Sequence, residues 1–120
     1  YPVTKDYQWI FETAAKAAAA FGLETTIPNR VDPLYIPEDQ PLIQRLKEAY
    51  ESATGEPCVL YSTGGGTYAR HTNNRAVGFG PEFPGTIDNH AHNCNEQISL
   101  ENFFTHAQIC LEAMYLLFTK

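Results

Sequence analysis

Two short stretches hold the residues whose types and spacing could do chemistry. The first is STGGGTYAR, residues 62–70. Three successive glycines permit positive φ and let a ligand approach the backbone closely. A helix starting near Thr67 would turn free N–H groups toward an anion. Arg70, in that first turn, would add a fork of donors suited to a carboxylate. The loop is not a Walker loop, which needs Lys-Ser/Thr after the last glycine. The competing reading is a flexible, glycine-rich turn with no ligand.

The second stretch is HAHNCNEQ, residues 90–97. His90 and His92 stand two apart, which in a strand sets both on one face and in a loop sets nothing. Neutral imidazole is a common metal ligand, but zinc wants three or four ligands. The chain has four histidines. His106 reads as structural and His71 as a surface residue, so a ligand given to a site completed elsewhere fits better than a whole site. Glu96 and Asp88 could each orient a ligand histidine, or satisfy backbone groups where loop becomes helix. Asn95 lies beside Glu96, and Cys94 reads as incidental.

Particular elements must hold these stretches. Apolar spacing from Asp6 to Phe21 predicts a helix, with Tyr7, Ile10, Phe11, Ala14, Ala17 and Ala18 on one side and Gly22 as its stop. YPVT before it is β-tending, and residues 23–36 alternate, with Pro28 and Pro33 marking an edge or interrupted strand. Residues 1–36 therefore read as β-α-β. Asp39 can cap a second helix with Pro41 in its first turn, Leu42, Leu46, Ala49, Tyr50 and Ala53 as its stripe, and Gly55 as its end. Lys47 and Glu51 sit four apart on its outer face. CVLYS and AVGFG read as short buried strands, and the long loop after them as functional. Ser99 can cap a last helix. Its broad stripe of Leu100, Phe103, Phe104, Ala107, Cys110, Leu111, Met114, Leu117 and Phe118 predicts deep packing.

The totals narrow the class. At 120 residues, 43% hydrophobic, the chain is globular and of one-domain length. A net charge of −6 with eight scattered Lys/Arg gives no basic stripe for phosphates, so no nucleic-acid partner is expected. No apolar run is long enough for a membrane span. Three cysteines without a CxxC pair favour a reducing cytoplasm over a disulfide framework. The chain opens on Tyr1, Pro2, Val3 as though within a strand, and no signal-peptide pattern starts it. That suggests a fragment of something larger, with simple trimming as the alternative.

STGGGTYAR, AVGFGPEFPG (76–85) and HNCNE (92–96) together resemble the C-terminal end of the zinc-dependent exopeptidases and deacylases. That family includes the Xaa-His dipeptidases (carnosinase-like), carboxypeptidase G, acetylornithine deacetylase and succinyl-diaminopimelate desuccinylase. The likeness is strongest to the bacterial Xaa-His dipeptidase branch and covers essentially the whole chain. It implies an α/β fold: residues 1–36 as the β-α-β end of a lid domain, and 37–120 as the C-terminal part of a catalytic sheet with helices. It also implies two zinc ions in the intact enzyme, a dipeptide substrate, and His92, not His90, as a zinc ligand. Gly65, Gly66, Thr67 and Arg70 would form part of the pocket for the substrate carboxylate, centred on Gly66, with Asn95 and Glu96 supporting the ligand shell.

The departures from the family pattern carry equal weight. The HxD motif, bridging aspartate, Glu-Glu pair and further aspartate that complete the family's zinc site are absent, and so is the general base. The lid arginine that precedes the YPV segment is also outside the chain. HNCNE has Asn93 and Cys94 where relatives often carry Gln and Ala, positions that hold no metal. The resulting expectation is a portion of a zinc metallo-dipeptidase, inactive alone, with exposed apolar surface that self-associates or needs the missing N-terminal part. The alternatives are a stand-alone carboxylate-binding module and a site completed by a separate chain.

Overall fold

The computed structural model describes residues 1–80, 83 and 89–119. Its elements are α1 (Tyr7–Ala19), α2 (Pro41–Thr54), a 3-10 turn (Tyr68–His71) and α3 (Leu100–Thr119). The expected α/β architecture is overturned: no strand, and so no catalytic sheet, occurs among the described residues. The reason lies in the partners a strand requires, because its N–H and C=O groups are satisfied only by a neighbouring ladder. No backbone–backbone hydrogen bond joins residues 58–61 to another described segment. The Cys58 N–H is instead taken by the Glu51 carboxylate at 3.0 Å. In residues 23–36, Pro28 and Pro33 remove two donors. YPVT closes as a turn, with Lys5 N–H on the Pro2 carbonyl at 3.2 Å.

The chain divides into two units, Tyr1–Ile36 with Ser62–Gly78, and Pro37–Tyr61 with Phe79–Lys120. In the first, Asp6 caps α1 by accepting from Trp9 N–H at 3.0 Å. Past its end, Leu23 N–H bonds the Ala18 carbonyl and Gly22 N–H that of Ala19, with Gly22 at φ +71°. This is a Schellman closure, which needs the left-handed backbone that glycine adopts without penalty. No residue of α1 is fully buried. The predicted positions Tyr7, Ile10, Phe11 and Ala18 are half-buried, while Ala14, Ala17 and Phe21 face solvent. Tyr7 is held by rings and charge: Tyr1 and Phe11 lie 5.7 and 6.5 Å from it, and the Arg30 guanidinium sits 4.2 Å over its face.

The second unit has its core where α2 packs on α3. Ile43, Leu46 and Ala49 of α2 are buried, with Ile109, Ala113 and Leu116 of α3. Each of the four large aliphatics gains about 2 kcal/mol by leaving water. Helix α2 starts at Gln40, which offers no side-chain cap, rather than at Asp39, and Pro41 takes the first position. Lys47 pairs with Glu38 at 2.5 Å rather than with Glu51. Gly55 ends the helix at φ +73° with its N–H on the Glu51 carbonyl. Ser99 caps α3, accepting from Asn102 N–H at 3.1 Å.

The stripe predicted for α3 is not the buried one. Leu100, Phe103, Phe104, Leu111, Met114, Leu117 and Phe118 are exposed. Periodicity selected the widest apolar arc, whereas α2 meets a narrow strip beside it. Cys110 is half-buried at the border of the two, its Sγ 3.5 Å from His106 Nε2. Among the described residues no helix is long and apolar enough to cross a membrane.

Candidate functional site

The glycine loop belongs to the first unit and is built by threonines. Thr63 Oγ1 accepts from Gly65 N–H at 3.2 Å. Thr67 Oγ1 accepts from Ala69 N–H at 3.3 Å and so caps the 3-10 turn. Ala69 is buried and anchors that turn, while Tyr68 stands in solvent. Behind it, Thr72 Oγ1 donates to the Ala69 carbonyl at 2.7 Å and accepts from the N–H groups of Arg75 and Ala76. The α-helix expected near Thr67 is therefore a single four-residue turn, too short for a helix dipole to act.

The glycines do not take the backbone expected of them. None of Gly64, Gly65 and Gly66 has positive φ. Nor is there crowding that would demand glycine: a Cβ on Gly64 would meet nothing within 4 Å, and one on Gly66 would lie at ordinary contact distance, 3.5 Å from Arg70 Nη1. Arg70 folds back so that Nη2 donates to the Gly65 carbonyl at 3.2 Å. The Gly66 N–H meets no acceptor among the described residues. An N–H without an acceptor and a guanidinium are both donors that a carboxylate takes.

The histidine stretch belongs to the second unit and forms a closed loop. Asn89 shuts it twice: its carbonyl accepts from Gln97 N–H at 3.0 Å, and its Oδ1 accepts from Ala91 N–H at 3.0 Å. The Asn93 N–H bonds the His90 carbonyl at 2.8 Å. His90, His92 and Asn95 all take left-handed backbone, at φ +55°, +63° and +60°, a region where His and Asn are enriched among non-glycine residues. His92, Asn95 and Glu96 are exposed. Glu96 makes no hydrogen bond to His92. Among the described residues no three His, Cys, Asp or Glu side chains gather to hold a metal ion. Asp88 and most of residues 81–85 lie outside the described residues.

Sequence reasoning passed over Asn89 and Thr72, the two residues that close these loops. The signal was present in type and offset, since Asn and Thr bond backbone N–H groups two or more residues ahead. Of the remaining candidates, His71 is exposed at the end of the 3-10 turn. Burial, with the Glu51 carboxylate nearby, pushes the Cys58 thiol up, away from the thiolate that binds metal or attacks carbonyls.

No family model and no solved structure matches the chain. Curated proteins do. Over 115 residues, 96% of this chain, it is 32% identical to a Staphylococcus haemolyticus protein and 35% identical to a Bacillus subtilis protein, each named "Putative dipeptidase". Staphylococcus aureus proteins with the same name are 32% identical over the same length. The match takes up 24% of each relative, so the chain spans about a quarter of the length of the curated relatives it matches.

Proposed function

We propose that the chain is a portion of a zinc-dependent dipeptidase, in which it supplies one zinc ligand and part of the pocket for the substrate carboxylate. The observation that carries this reading is the likeness, along 96% of the chain, to proteins named as dipeptidases, with the Arg70 guanidinium held on the glycine loop by its bond to the Gly65 carbonyl. In this reading residues 1–36 belong to a lid and 37–120 to the catalytic portion, acting in the cytoplasm. Gly65, Gly66, Thr67 and Arg70 hold the C-terminal carboxylate of a dipeptide, Xaa-His being the class the sequence resembles. Thr67 contributes by capping the turn that carries Arg70.

The described residues fit one ligand of a metal site and gather no group of three that would make a whole one. The His92 ring is exposed, and no described residue occupies its nitrogens. When bound, zinc supplies Lewis-acid polarisation of the scissile carbonyl. His92 holds its place through the loop that Asn89 closes, Asn95 sets the left-handed turn after it, and Glu96 is positioned to support the ligand shell. The remaining ligands and the general base come from polypeptide outside this chain, which alone hydrolyses nothing. A second reading, a carboxylate-binding module without catalysis, is favoured by one fact: the Gly66–Arg70 donor pair is complete without a metal.

Calorimetric zinc titration of the chain beside its His92→Ala variant tests the ligand count. Weak or absent binding supports a single contributed ligand. Tight stoichiometric binding that the variant loses means the chain completes its own site and overturns the reading. Replacing the matched quarter of the Bacillus subtilis relative with this chain separates the two functions. Zinc-dependent dipeptide hydrolysis, lost on His92→Ala, is expected. Carboxylate binding that needs Arg70, with no hydrolysis, would establish the module instead.

A further inference from the structure

Helix α3 is apolar around most of its circumference. Its only charged residues are Glu101 and Glu112, and a helix of this kind belongs inside a larger core. Yet α2 buries only Ile109, Ala113 and Leu116. Phe104, Leu111 and Phe118 are 66%, 68% and 85% exposed, with Phe103 and Met114 also open. At 3.6 residues per turn these positions span an arc of about 100°. The segment after α2, in the same unit, adds Val59, Leu60 and Tyr61, all exposed. This is more apolar surface than isolated exposed side chains account for.

We propose that the bare face of α3 seats the rest of a longer polypeptide, the portion corresponding to the three quarters of the dipeptidase-named relatives that lie outside the match. The inference rests on the proposed function. Two observations favour this occupant over a second copy of the chain. Where α2 packs, the buried positions of α3 lie within about 60°, whereas the bare positions span about 100° and Val59, Leu60 and Tyr61 add to them, so a single second α3 would leave part of this surface in water. Two copies would also bring together chains of net charge −6 each.

The test is site-resolved thiol labelling at Met114→Cys and Phe118→Cys, with Gln108→Cys on the polar side as control. The free chain is compared with a chimera in which it replaces the matched quarter of the Bacillus subtilis relative. The expected result is labelling at 114 and 118 about a hundredfold slower in the chimera than in the free chain, with 108 unchanged. Equal rates at 114 in both proteins overturn the proposal. So does concentration-dependent protection of the free chain equal to that in the chimera, which makes a second copy the occupant. As a second measurement, Met114→Glu lowers the chimera's Tm and leaves the free chain's helix content unchanged, and an unchanged Tm counts against the seat. Protection without dipeptide hydrolysis keeps the surface and sinks the proposed function, whereas hydrolysis with 114 still open does the reverse.

Discussion

Arg70 bonds back onto the loop that delivers it: its Nη2 donates to the carbonyl of Gly65, five residues earlier, at 3.2 Å. The same guanidinium flanks the space above Gly66, where a side chain would otherwise stand. Arg70 is thus both a brace for the glycine loop and a donor beside it. Lysine keeps the charge but lacks the planar fork. In Arg70→Lys the loop should loosen, with order parameters at 64–66 falling from about 0.8 toward 0.6 on the nanosecond scale. Unchanged relaxation of these amides would show that the bond does not order the loop.

Asn89 does for the histidine loop what Arg70 does for the glycines, through Oδ1 on Ala91 N–H and its carbonyl on Gln97 N–H. Asn89→Ala removes the first bond and should cost about 1 kcal/mol of local order. Asn89→Asp keeps an acceptor and should behave like the parent. Amide hydrogen exchange at Ala91 and Gln97 reads the effect. Equal protection in Asn89→Ala and the parent would mean the loop is held by other contacts.

The core of the second unit should respond at the α2 contact and nowhere else on α3. Ile109 is fully buried, so Ile109→Ala should destabilise by about 3 kcal/mol. Phe118 is the larger side chain but stands in water, and Phe118→Ala should change stability by less than about 0.5 kcal/mol. Urea unfolding followed by circular dichroism separates the two. A larger loss for Phe118 would place the core on the other face of the helix.

Tyr1, Asp32 and Arg30 form a linked surface cluster, with Tyr1 Oη donating to Asp32 and Arg30 paired to the same carboxylate at 2.8 Å. The Tyr1 hydrogen bond, then Arg30, holds the Asp32 carboxyl below the usual carboxylate range. Its contribution is present above that range and is lost as pH falls through the lowered value. Asp32 in turn raises the Tyr1 phenol. That contribution is present below the ordinary phenol range and is lost as pH rises through the raised value. The contact should therefore persist from mild acid to mild alkali. In Tyr1→Phe, the carboxyl-carbon NMR titration of Asp32 should move up toward its ordinary midpoint, and an unmoved midpoint would leave Arg30 as the whole cause.

The three helices were legible because their signals are local. Asp6 and Ser99 bond the N–H groups ahead of them, Gly22 and Gly55 take the left-handed turn, and the apolar spacing between them is periodic whatever surrounds it. GGGTYAR and HNCNE stand out by residue type and offset alone, and the roles proposed for them rest on that pattern. Strands were misjudged because Cys58 to Tyr61 and the segment around Pro28 and Pro33 can be strands only beside a ladder, and a ladder is a fact about other segments. The buried face of α3 was misjudged because a helix apolar nearly all round does not declare which side meets a neighbour. That was decided by α2, which packs on α3 with Ile43, Leu46 and Ala49 buried on the one helix and Ile109, Ala113 and Leu116 on the other. The sequence by itself determined where helices start and stop, because capping and periodicity act within a few residues. Only the tertiary structure decided which apolar faces are covered and which donors stay free, because burial and hydrogen-bond satisfaction depend on what else is brought alongside.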